Sequence, residues 1–159
     1  ELRKPPSNST SFIEDLWIAD YEARALFSYS NNQLSVHAAG QDHPESLAFG
    51  EINNTEVIFI GGAEGIWYKE DPSDLPKQLT TLPAFSLSYI PEHQELWIGN
   101  SDGLFVLNQE LLQGTISIDQ IFHIKEITSR IARLQHHEDF LFFTDGIGEY
   151  IYMTKISRK

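Results

Sequence analysis

Apolar residues along this chain alternate with polar ones in short runs broken by glycine, asparagine and aspartate, the pattern of half-buried strands joined by tight turns. The clearest instance is Glu95-Leu96-Trp97-Ile98-Gly99-Asn100-Ser101-Asp102-Gly103-Leu104-Phe105-Val106-Leu107-Asn108. Strand geometry sends Leu96 and Ile98 to one face and Trp97 to the other. Asp102-Gly103 supplies a positive-φ turn, and Leu104 to Leu107 returns antiparallel.

The hairpin recurs. Glu56 to Tyr68 superimposes on it without a gap at an offset of 38, with Phe59 against Trp97 and Gly65 against Gly103. Asp15 to Asp20 echoes it with Ala19 in place of Gly99, followed by a longer turn, Tyr21 to Arg24, and a returning strand from Ala25 to Tyr29. Asn31-Asn32 then turns the chain into a strand from Gln33 to Ala38. The loosest copy joins Thr128 to Leu134, a turn over Gln135 to Glu138, and Asp139 to Phe143. At an offset of 44 it sets Leu134 against Ile90 and Phe142 against Ile98. Leu47 to Ile52 and Ala84 to Ile90 lead into the second and third copies. Lys77 to Leu82, flanked by Pro76 and Pro83, reads as an edge strand, where a missing N–H donor does little harm. Between Ile121 and Leu134 the isoleucines fall near helical spacing, but isoleucine and threonine favour strand, and strand is expected from Thr115 to Ile124.

Spacings of 42, 38 and 44 between copies match the period of roughly 40 residues of four-stranded propeller blades. The expected fold is all-β: a β-propeller of about four four-stranded blades over residues 11–159, with blades roughly at 11–40, 45–82, 84–124 and 128–157. A polar tail or linker, ELRKPPSNST, precedes it over residues 1–10, and the Glu1 start suggests a trimmed or processed chain. The fourth unit lacks an outer strand, so the expectation is an incomplete ring or part of a larger propeller. Two copies of four blades could close an eight-bladed ring as a homodimer.

Composition narrows the partners. The formal charge of −12, from 11 Lys and Arg against 23 Asp and Glu, argues against nucleic acid or an anionic membrane, whose phosphates must be met by basic side chains. No cysteine is present, which removes disulfides, cysteine-based zinc sites and a thiol nucleophile. No run of about 18 apolar residues exists, so no membrane insertion is expected of this chain.

Leu96 to Leu107, and more weakly Ile58 to Tyr68, resemble the two-component-regulator propeller repeat, in which a Leu-Trp-Ile-Gly strand is followed by an Asp-Gly-Leu-Phe/Tyr turn. That resemblance implies a propeller of the kind that forms the sensor part of bacterial hybrid histidine kinases responding to polysaccharide fragments, and hence a periplasmic or extracellular position. Trp17-Ile18-Ala19-Asp20 also resembles the opening of an NHL-type blade.

Propeller sites lie where loops of several blades converge. Asp20, Glu64, Asp102 and Asp145 fall at or near equivalent turns. They form either a ring of carboxylates gathering a cation or sugar hydroxyls, or four residues that each close their own turn, since Asp before Gly suits local backbone geometry. Tyr21 and Tyr68 are the candidates for exposed contacts, whereas Trp17, Trp67 and Trp97 sit where large rings fill the space between sheets. His136-His137-Glu138 is the most tempting metal motif, but adjacent strand residues point to opposite faces, so no metal site is encoded locally. No Gly-x-Ser-x-Gly or phosphate-loop context occurs, and no catalytic residue or cofactor is assigned. The reading that follows is a non-catalytic binding or sensor module with an oligosaccharide or protein partner. The alternatives are a metal-dependent hydrolase or lyase of the lactonase-like propeller kind and an intracellular interaction scaffold.

Overall fold

The computed structural model describes residues 15–108, 121–124, 127, 129–146 and 150–156. The expected polar tail and the first part of the strand expected from Thr115 lie outside these residues. Among these residues fourteen strands form four antiparallel sheets. The first holds β1 (Leu16–Asp20), β2 (Ala25–Ser30) and β3 (Gln33–Ala38). The second holds β4 (Pro44–Ile52), β5 (Thr55–Gly62), β6 (Gly65–Lys69) and β7 (Lys77–Thr80). The third holds β8 (Ser86–Ile90), β9 (Glu95–Asn100), β10 (Gly103–Leu107) and β11 (Phe122–Ile124), and the fourth β12 (Ile131–His137), β13 (Phe140–Asp145) and β14 (Ile151–Lys155). Each sheet is a meander of sequence neighbours, and β7 is the edge strand its flanking prolines implied.

Short turns set these registers. Asn31-Asn32 and Asn53-Asn54 are two-residue hairpin loops with positive φ at both positions, the geometry whose twist matches the flanking strands. Gly65 and Gly103 open β6 and β10 at φ of 125° and 130°, and a Cβ there would lie 2.1 Å from the Thr80 carbonyl oxygen and 2.0 Å from that of Ile127. The two repeat glycines therefore solve one steric problem in two blades.

Three cores hold the sheets together, one at each junction. Trp17, Leu26, Ile58 and Ile60 join the first sheet to the second. Phe59, Val57, Leu87, Tyr89, Leu96, Ile98 and Phe105 join the second to the third, and Trp97, Leu104, Val106, Ile131, Leu141 and Phe143 join the third to the fourth. Period-two alternation distributes these residues: in β5, Val57 and Phe59 face the third sheet while Ile58 and Ile60 face the first. A sheet buried on both faces in this way is a propeller blade. Close approach is enforced at the end of the second strand, where a Cβ on Gly99 would lie 2.5 Å from Ile131 Cγ2, and one on Gly61 3.0 Å from Ala84 Cβ.

The fourth blade corrects the expected alignment. Leu141 and Phe143 face the third blade as Leu96 and Ile98 face the second, an offset of 45 rather than 44, and Leu134 takes the place of Leu87 rather than Ile90. The cause is the turn between first and second strands, four residues after β8 but two after β12. A one-residue slip in a strand exchanges its two faces.

Candidate functional site

The first strands of the second, third and fourth blades, β4, β8 and β12, are lateral neighbours and form the inner wall of the arc. A groove of about 630 Å³ runs along it, lined by Glu45 and Ser46 from the second blade, Phe85 and Ser86 from the third, and Arg133, Gln135 and Thr144 from the fourth. Ser46 and Ser86 sit opposite Gly61 and Gly99, so the same position in two blades carries a hydroxyl beside the repeat glycine. Each ties its blade to the next: Ser46 Oγ donates to the Ala84 carbonyl at 3.3 Å, and Ser86 Oγ accepts the Leu134 N–H at 2.6 Å. Because both hydroxyls engage main-chain groups, neither is set against a base as a nucleophile would be. The Arg130 guanidinium lies 5.2 Å from the centre of the Phe85 ring, within cation–π range. The wall thus combines a carboxylate, a guanidinium, an amide and an aromatic ring. These groups can order hydroxyls and stack on a flat apolar face.

The expected turn residues occupy a different part of the molecule. Asp20 Oδ1 accepts the Ala23 N–H at 2.8 Å and so closes its own turn. At the β9–β10 turn Asn100 does this work, its Oδ1 accepting the Asp102 N–H at 2.8 Å. Among the described residues, Asp102 receives the hydroxyl of Ser101, at 3.4 Å. Glu64 is exposed in the β5–β6 turn, where its carbonyl accepts Gln78 Nε2 at 3.3 Å, and Asp145 ends β13 opposite Ile131. Tyr21 stacks on His43 at 4.3 Å, while Tyr68 lies mid-strand on β6, half-buried, with Lys77 Nζ 5.6 Å from its ring centre. These residues are spread over successive turns and an outer strand. No three acidic or histidine side chains among the described residues are grouped to hold a metal ion.

At the opposite end of the third and fourth blades, Glu92, His93, His136, Glu138 and Asp139 line a hollow of about 280 Å³. His136 Nε2 is already engaged by the Glu138 carbonyl. The third polar cluster is internal. Pro72 O accepts Lys69 Nζ at 2.7 Å and His37 Nδ1 at 3.1 Å, while His37 Nε2 bonds Ser28 Oγ at 2.8 Å. A carbonyl can only accept, so the His37 proton sits on Nδ1 and Nε2 accepts from the serine. Burial, with the Lys69 charge second, holds the His37 pKa below its usual 6.5 against the opposing Pro72 bond. Burial likewise lowers that of Lys69.

Sequence reasoning missed Glu45, Phe85 and Arg133, because they come from three different blades with no shared local motif. The one available signal was a serine recurring opposite each repeat glycine.

No family model matches the chain, and no curated protein matches it. Solved structures do. The computationally designed protein Ika4 is 15% identical, with a TM-score of 0.56, over 91% of this chain and 86% of that one. A gluconolactonase from Xanthomonas campestris is also 15% identical, with a TM-score of 0.59, over 81% of this chain and 43% of its own. The chain therefore spans less than half of that enzyme's length. At this identity the likeness is one of fold, and the fold is that of a β-propeller.

Proposed function

We propose that the protein is a non-catalytic binding module whose ligand, an oligosaccharide, lies in the groove along β4, β8 and β12. The carrying observation is the composition of that wall: Glu45, Arg133 and Gln135 beside the Phe85 ring, with the groove's two serine hydroxyls committed to backbone. Donors and acceptors of both kinds around an apolar face suit a chain of hydroxylated rings better than an extended peptide or a polyanion. The excess of acid over base in the whole chain points the same way. The resemblance of Leu96 to Leu107 to sensor propeller repeats adds support for a sensing role outside the cytoplasm.

A second reading, a metal-dependent lactonase-like hydrolase, has the shared fold of the gluconolactonase in its favour. It ranks second because no three acidic or histidine side chains among the described residues are grouped to hold a metal ion. Calorimetry against a panel of neutral and uronic-acid oligosaccharides tests the first reading. Saturable binding that Arg133→Ala weakens at least tenfold is expected, and no heat with any sugar would refute it. Turnover of an aldonolactone that calcium or zinc stimulates would favour the enzyme instead.

A further inference from the structure

We propose that two copies of this chain join head to tail, the outer face of the first blade of one against the outer face of the fourth blade of the other, closing a ring of eight blades. Equivalent positions in successive blades carry this pairing, independently of the ligand proposed above. Leu16 and Ile18 occupy the positions of Ile58 and Ile60 in the second blade and of Leu96 and Ile98 in the third. Those four are fully buried beneath a preceding blade, yet Leu16 is 60% and Ile18 46% exposed. The face continues across the sheet: Leu34 and Val36, opposite Tyr29 and Phe27, are 62% and 65% exposed.

The fourth blade presents the converse surface. Ile151 and Met153 hold the positions of Leu104 and Val106, and Phe142 that of Trp97, on the side that in the third blade is covered by its successor. Ile151 is 76% and Met153 60% exposed. Burying such faces is what all three existing junctions do, and large exposed apolar patches mark association surfaces. In the three junctions a preceding face meets a following face, and the described blades offer one further face of each kind, so two copies can pair both. Charge agrees, since Arg133 and Lys155 lie on the fourth-blade face and Asp20 on the first-blade face. Thr144 and Ile151, which line the groove, also belong to that fourth-blade face, so the second copy would wall in the open end of the groove.

Sedimentation velocity on the chain at micromolar concentration, with Val36→Asp and Met153→Asp beside it, decides the matter. The expected mass is twice 18.1 kDa for the unaltered chain and 18.1 kDa for either variant, each retaining its strand circular dichroism and cooperative melt. Both substituted side chains are exposed, so folding is not at stake, and Leu34→Glu is a second probe of the first face. A monomeric unaltered chain overturns the proposal, as does an open concentration-dependent polymer. A dimer that Val36→Asp breaks and Met153→Asp leaves intact also overturns it, because the first-blade faces would then be meeting each other.

Discussion

Ile58 and Phe59 are neighbours on β5, both without solvent exposure, and they belong to different cores: Ile58 packs with Trp17 and Leu26 of the first blade, Phe59 with Tyr89 of the third. One strand thereby glues two junctions, and the sheet it belongs to has no solvent face along its middle. Truncation should be costly on either side. Ile58→Ala is expected to lose about 2–5 kcal/mol and Phe59→Ala about 3–5 kcal/mol in urea unfolding, with the slope m unchanged. A loss below about 1 kcal/mol for both would mean that the junctions are not packed as described.

Gly103 places its φ at 130° with the Ile127 carbonyl where a Cβ would go. Gly103→Ala should destabilise by more than about 1 kcal/mol, since alanine is both strained at positive φ and sterically blocked. Thermal melts comparing it with Asp102→Ala, whose carboxylate makes one long contact, should show the larger drop in Tm for the glycine variant.

His37 confers a pH dependence with a definite sign. Its folded pKa lies below 6.5, so the unfolded chain binds the extra proton first. Its contribution is complete above pH 6.5 and is lost as the pH falls toward the folded value. Protonating Nε2 also removes the acceptor of Ser28. Because the Lys69 charge is one cause of the depression, Lys69→Met should move the His37 titration, followed by NMR, up toward 6.5. A downward shift or none would contradict the arrangement around Pro72.

Arg133 and Glu45 offer the charged hydrogen bonds of the groove. Alanine at either should weaken oligosaccharide binding by about 1.5–3 kcal/mol, roughly ten- to 150-fold in Kd, while leaving the melting temperature within a few degrees. Asp20→Ala, at a turn away from the wall, should leave Kd unchanged and cost only the turn bond to Ala23.

The second and third blades were legible in the sequence because their hairpins align without a gap from Glu56 to Tyr68 and Glu95 to Leu107, so alternation alone assigned every face. The fourth was misread by one residue in β13 and by three in β12, since periodicity does not reveal that the β12–β13 turn is two residues shorter than its counterpart. The site was least legible. Carboxylates at turns look chemical in a string of letters, yet the one at Asp20 serves its own backbone. The groove is assembled from strands some forty residues apart, which only the stacking of blades brings together.

Sheets packed face against face around an axis bring side chains of neighbouring blades together, and contacts between labelled side chains read that arrangement directly. A nuclear Overhauser spectrum of the isotope-labelled chain should connect the Ile131 γ2 methyl to Gly99 Hα, the Ile58 methyls to Leu26, and the Phe59 ring to Tyr89. Ile58 and Phe59 should share no partner beyond the first shell of their own strand pairing. Cross-peaks from both residues to one common set of core side chains, with none between Ile131 and Gly99, would contradict it.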